Sequence, residues 1–182
     1  MKRAGPRFED VPLPRSLQTT MPEMSLRLLE SSDASALLDL VANNARHLTR
    51  HGDYQVLVQS SHQDLVEELS RATNPNWRFS IFFDARLVGR ADLIGVEPAR
   101  FSIGYWLAEA HTGRGIATAA LDALIDFARS NCDAAEIYAG VTHGNRASEA
   151  LLARLGFEPT DTFDSYTRFR LSLRHGMMDC VT

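Results

Sequence analysis

A chain of 182 residues can bury one full hydrophobic core and is short for two domains. Its 45% hydrophobic and 23% charged residues are those of an ordinary globular protein, and no apolar run reaches the ~18 residues that span a bilayer. A net charge of −4 argues against nonspecific nucleic-acid binding; Cys132 and Cys180 make no disulfide framework, and no Cys/His cluster is spaced for zinc, so a reducing cytoplasm is the expected setting.

Residues 1–23 carry Pro6, Pro12, Pro14 and Pro22 without apolar periodicity and read as a flexible leader. Lys2, Arg3 and Arg7 are followed by no apolar stretch, so this is not a secretory signal. Met21 and Met24 stand near the start of the expected domain, residues 24–175, and an alternative translation start is open there. Residues 25–29 predict a first strand. Ser31 or Ser32 caps a helix running to about Ala45, with Leu37, Leu38 and Val41 on one face. A polar loop over residues 46–54 leads to a second helix at 64–71. Strands at 78–83 and 87–96 form a hairpin about Asp84, Ala85 and Arg86, and 101–107 is the fourth strand. After a turn holding Gly113 and Gly115, a helix runs to about Arg129 with Ile116, Ala120, Leu124 and Ala128 along one side. A fifth strand follows at 135–141, then a helix at 147–155 that Gly156 ends with a left-handed cap. Strands at 158–163 and 165–173 complete the sheet, and residues 176–182 remain as a tail.

The passage from the fourth strand into the long helix is the most informative stretch. Residues 103–118 leave an apolar strand through Gly113-Arg114-Gly115 and enter a helix whose free backbone N–H groups and dipole converge on one point. Such a turn suits a phosphate or pyrophosphate. A nucleotide-triphosphate loop needs a Gly-Lys pair, and the chain has none. A dinucleotide fingerprint needs a small third residue where Thr118 stands, and it sits in an early βαβ unit, whereas this loop lies past the middle of the chain. The segment Thr112-Gly113-Arg114-Gly115-Ile116-Ala117, preceded by Gly104-Tyr105-Trp106-Leu107, resembles the acetyl-CoA loop of the GNAT N-acetyltransferases, in particular their RimJ/RimL-like, ribosomal-protein-alanine branch. A second matching motif follows in Asn145-Arg146-Ala147-Ser148 and Leu151-Leu152-Ala153-Arg154-Leu155-Gly156-Phe157. The resemblance covers residues 24–173. Thr112 departs from it, since the family has Gln or Arg there.

The resemblance implies an α+β, three-layer fold: a mixed, mostly antiparallel twisted sheet flanked by helices, with the fourth and fifth strands splayed. It implies an acetyl-CoA-dependent N-acetyltransferase that needs no metal and moves an acetyl group directly to a primary amine in a ternary complex. The acceptor is a small metabolite or antibiotic amine, or a protein N-terminus. Transfer of a different acyl group and catalytically silent acyl-CoA sensing are the competing functions. A monomer or homodimer with no membrane partner is expected.

On the donor side, the resemblance assigns the pyrophosphate to the loop backbone of Gly113, Arg114, Gly115, Ile116 and Ala117, with Thr112 and Thr118 as flanking cofactor-binding candidates. A backbone N–H near Leu107 would polarise the thioester carbonyl. Asn145 would anchor the cofactor arm, with a helix N-cap as its alternative role. Ser148 matches the family serine beside the sulfur and is the candidate proton donor. Many members carry a tyrosine four residues before the Gly-Phe pair, where this chain has Leu152. The branch glutamate before Ile-Gly-Tyr-Trp is Ser102 here, which leaves the general base open among Asp92, Glu97, His111 and His143. Asp92 and His143 join Ser148 as catalytic candidates. His51, Asp53 and Tyr54 of the polar loop, with Trp77, are candidates for the acceptor pocket.

Overall fold

Apolar side chains alternate through Trp77, Phe79 and Ile81, and a strand turns such a series onto one face. In the computed structural model, which describes residue 11, residues 13–70 and residues 76–173, these three side chains are fully buried. They lie on β3 (Asn76–Phe83), which turns at Asp84 and Ala85 into β4 (Arg86–Glu97). Both turn residues have positive φ, 49° and 60°, the twist that a tight hairpin connection requires.

Among the described residues the remaining strands are β1 (Ser16–Gln18), β2 (Met24–Leu28), β5 (Arg100–Leu107), β6 (Glu136–Thr142), β7 (Glu158–Thr162) and β8 (Tyr166–Ser172). They form one sheet in the order β1-β2-β3-β4-β5-β6-β8-β7. Every neighbouring pair is antiparallel except β5 and β6, which are parallel.

The helices are α1 (Ala34–Asn43), α2 (Ala45–Thr49), α3 (Gln55–Gln59), α4 (His62–Ser70), α5 (Ile116–Asn131) and α6 (Arg146–Arg154). They sort onto the two faces of the sheet by strand alternation. On β5, Phe101, Ile103 and Leu107 join a core with Trp77, Phe79 and the buried side of α5, while Trp106 points the other way. Trp106 packs with Leu37 and Val41 of α1, Leu48 of α2 and Leu65 and Leu69 of α4. The fold is therefore the expected three-layer, mostly antiparallel α+β arrangement. No described helix is long and apolar enough to cross a membrane.

Three local differences from the sequence expectation have physical causes. Ser16–Gln18, inside the expected leader, pairs with β2, and Thr19 turns the chain between them by donating its hydroxyl to the Met21 carbonyl at 3.0 Å. The polar stretch 46–54 is partly helical because Leu48 is buried and anchors α2, and α3 follows it. The first helix is interrupted at Asn44, whose side-chain amide donates to the Leu40 carbonyl at 2.8 Å. The expected helix end at Arg71, the residues Lys2, Arg3, Pro6, Arg7 and Pro12, the 176–182 tail and Cys180 lie outside the described residues. Gly156 has φ 84°, and Phe157 N–H reaches back to the Leu152 carbonyl at 3.0 Å, so the expected left-handed cap is present.

Where β4 meets β5 the backbones leave no room for a side chain at Gly89. A Cβ there would sit 2.2 Å from the Trp106 carbonyl oxygen and 2.8 Å from Leu107 Cδ2. Gly89→Ala is expected to destabilise the protein by ~1–3 kcal/mol, the usual cost of overpacking. Urea denaturation of the variant beside the parent measures this.

Candidate functional site

The central feature is a parallel pairing that stops short. β5 and β6 are in register only at Arg100↔Glu136, Phe101↔Ile137 and Ser102↔Tyr138. Beyond these the strands separate, and an opening forms between Ile103, Gly104 and Tyr105 on one side and Ala139, Gly140 and Val141 on the other. Here the expected splay of the fourth and fifth strands, β5 and β6 of the structure, is seen directly. The opening adjoins a cavity of about 940 Å³ that reaches the glycine turn before α5.

That turn is built as a helix entrance. Gly113 and Gly115 have φ of 71° and 80°, and α5 begins at Ile116. A Cβ on either glycine would meet nothing within 4 Å, so glycine serves the left-handed backbone here rather than space. The first-turn N–H groups have no carbonyl one turn earlier to bond, and the α5 dipole adds partial positive charge beside them. Thr112, Gly113, Gly115, Ile116, Ala117, Thr118 and Leu107 all line the cavity. Arg114 is absent from that lining; its guanidinium lies 4.7 Å from the centre of the Phe83 ring.

α6 follows β6, and its first turn faces the same opening. Asn145 caps the helix, accepting the Ser148 N–H at 3.3 Å, and it also lines both cavities. The cap and a cofactor contact are compatible. Ser148 lines both cavities too, and the Tyr105 hydroxyl donates to its Oγ at 2.9 Å.

The loop between α2 and α3 spans the opening. The Tyr54 hydroxyl donates to the Tyr105 carbonyl of β5 at 2.5 Å, and the Thr142 hydroxyl of β6 donates to Asp53 Oδ1. Burial, and then the nearby carboxylates Asp92 and Asp53, push the Tyr54 phenol well above its usual range, so it stays a donor. His51 lines the cavity and accepts from Arg50 Nε at 3.0 Å. His47 lines it as well, and burial followed by the Arg50 charge lowers its pKa.

Other candidates from the sequence fall elsewhere. Asp92 accepts Arg90 Nε at 2.8 and 3.1 Å, Arg90 also holds Glu68 at 2.8 Å, and Asp92 lines neither cavity. His143 is exposed and outside both cavities; its backbone N–H bonds the Ser165 carbonyl at 3.0 Å. Glu97 pairs with Arg100. His111 packs its ring against Phe83. Trp77 is not a pocket wall: it is fully buried, with ring centroids 6.1 Å from Phe101 and 5.6 Å from Phe127. Sequence reasoning missed Tyr105 and Thr142. Alternation along β5 is the signal that would have found Tyr105, since it shares the face of Ile103 and Leu107.

The profile of a family described as "Acetyltransferase (GNAT) domain" matches residues 23–158. A putative ribosomal N-acetyltransferase of Bacillus subtilis (strain 168), YdaF, is 27% identical over 146 residues, covering 74% of this chain and 77% of its own. The probable N-acetyltransferase YjcK of the same organism is 31% identical over 143 residues, covering 72% and 78%. Among solved structures, Mycobacterium smegmatis RimJ in complex with CoA-disulfide is similar with a TM-score of 0.74 at 24% identity, covering 88% of each chain.

Because the buried Tyr54 phenol holds its proton above the ordinary tyrosine value of 10.0, folding is favoured below pH 10 and this contribution is lost as pH rises through the raised folded-state value. Tyr54→Phe should therefore lower stability by ~0.5–1.5 kcal/mol at neutral pH through the lost hydrogen bond. It should also flatten the decline of stability above pH 10, and denaturant titrations from pH 7 to 11 measure both effects.

Proposed function

The chain belongs to the GNAT acetyltransferase family and is an acetyl-CoA-dependent N-acetyltransferase, and we propose that Asp53 receives its primary-amine acceptor while Ser148 serves the departing thiolate. One observation carries this reading: Asp53 and Ser148 both line the small opening between β5 and β6 and the large cavity that leads to the glycine turn. The residues present fit the co-substrate. The first-turn N–H groups of α5 suit its pyrophosphate, and the gap between the strands suits its extended arm. When bound, acetyl-CoA supplies an activated acyl group and a sulfur leaving group.

The protein's own groups then manage charge and protons. The acceptor enters as an ammonium with a pKa of roughly 10, so it must lose a proton before its lone pair is free. Asp53 is oriented by Thr142 and lines both cavities, where its carboxylate would hold that ammonium and pass one proton to solvent. The C–N bond forms as the C–S bond breaks, and the electron pair of the broken bond goes to sulfur. Ser148 gives its Oγ proton to that sulfur and takes the second proton of the acceptor nitrogen in exchange. One ammonium and one thioester thus become an amide, a thiol and one released proton.

The acceptor class has two readings. The ribosomal name of YdaF favours a protein N-terminus. Ser102, where the RimJ/RimL-like branch carries glutamate, together with the His51–Asp53 side of the cavity, favours a small polar amine. A reducing cytoplasm suits either reading, and it suits the free, buried Cys132.

Peptides beginning with alanine or serine and a panel of small amines and aminoglycosides, assayed by release of the CoA thiol, separate the two readings. No turnover with any of them would count against the acceptor proposal. Asp53→Asn should lower kcat/KM for the amine by ~10²–10⁴-fold, leaving the affinity for CoA unchanged. Ser148→Ala should lower kcat with the same affinity for CoA, as measured by calorimetry.

A further inference from the structure

The sequence lacks a phenol on α6 at the position where many relatives of its family carry one. Leu152 occupies that position; it is buried and lines the small opening together with Tyr105 and Ser148. The structure brings a phenol to the same place from a different element. Tyr105 projects from β5, on the face shared with Ile103 and Leu107, and its hydroxyl lies 2.9 Å from Ser148 Oγ.

Both partners of this contact are held from behind. The Tyr105 carbonyl accepts the Tyr54 hydroxyl at 2.5 Å, which fixes the β5 backbone at the edge of the splay. The Ser148 N–H is bonded to the Asn145 side chain at 3.3 Å, which fixes the first turn of α6. Burial raises the pKa of the Tyr105 phenol, while its contact with Ser148 and the charge of Arg154 on α6 act in the opposite direction. A phenol that keeps its proton acts on a serine oxygen as a donor.

A hydroxyl group has one proton and two lone pairs. When Tyr105 occupies one lone pair, Ser148 keeps its proton and one lone pair for the cavity. Those are the two capacities that proton exchange between the acceptor nitrogen and the sulfur requires. We propose that Tyr105 is the positioning residue of the reaction: its hydroxyl sets the Ser148 rotor so that the serine proton faces the thioester sulfur. This rests on the reading of Ser148 given above. Tyr105 itself exchanges no proton with the substrate, and it holds the same hydrogen bond before and after transfer.

The test uses the full-length protein with CoA alone and needs no acceptor. A serine hydroxyl aimed at the sulfur stabilises the bound thiolate, so titrating its ultraviolet absorbance reports the contact. Tyr105→Phe and Ser148→Ala should each raise the apparent pKa of bound CoA thiol by about one unit, the worth of roughly one hydrogen bond. The double variant should shift no further than Ser148→Ala alone. With whichever peptide or amine of the panel turns over, Tyr105→Phe should lower kcat ~10-fold and leave both KM values unchanged.

Calorimetry with CoA shows that the variants remain folded. If Tyr105→Phe titrates like the parent while Ser148→Ala shifts, the positioning role is overturned and the serine reading stands. If Ser148→Ala titrates like the parent, the serine reading fails first. Additive shifts in the double variant, or loss of CoA binding by Tyr105→Phe, would make Tyr105 an independent contact or a structural prop and overturn the proposal.

Discussion

The candidate site of this protein depends on two parallel strands that part company after Ser102 and Tyr138. A parallel pair normally continues its ladder, and abandoning it leaves backbone N–H and C=O groups that need other partners. Here those partners come from outside the pair. β6 keeps its full antiparallel register with β8, from Glu136↔Ser172 to Thr142↔Tyr166, and β5 stays in register with β4 from Phe101↔Gly95 to Leu107↔Gly89. Each strand is thus secured on its outer side, and the gap between them persists without a ladder across it.

That gap also determines where the helices act. The crossover from β5 to β6 runs through α5, whose sixteen residues bury Ile116, Leu121 and Leu124 against the sheet. Its N-terminus therefore has to stand at the end of β5, where the strands have begun to separate. The next crossover, through α6, brings Asn145 and Ser148 to the same end. An anion-receptive helix terminus, an open slot and a capped helix start thus share one site because of chain connectivity. Close approach at Gly89 keeps β4 tight against the segment that forms the slot's outer wall.

The long, strongly patterned elements were legible in the sequence, and so was the donor side. Alternation marked the β3–β4 hairpin, the spacing of Ile116, Ala120, Leu124 and Ala128 marked α5, and the glycine turn marked its entrance. The five-residue helices α2 and α3 were not legible, since single buried contacts such as Leu48 sustain them rather than periodicity. β1 was obscured because Leu17 is its one apolar residue, and its pairing is decided by β2. The acceptor side resisted for a related reason. Tyr105 meets Ser148 across 43 positions of chain, and Tyr54 meets Tyr105 across 51, so neither pairing leaves a local pattern. Trp77 was misplaced by its chemistry alone. Its alternation with Phe79 and Ile81 shows that it faces α5.

The residues proposed to face the incoming amine come from one short run between α2 and α3, tied to the strands through Asp53 to Thr142 and Tyr54 to Tyr105. The donor half draws on the glycine turn and α6, far along the chain. The stretch 46–54 touches the segment before α5 where His47 Nδ1 lies 3.8 Å from Glu109 Oε1, ahead of Gly113 and Gly115. Such a scaffold places different demands on two stretches of sequence: one must hold a left-handed backbone at a helix entrance, and the other must present side chains across a slot.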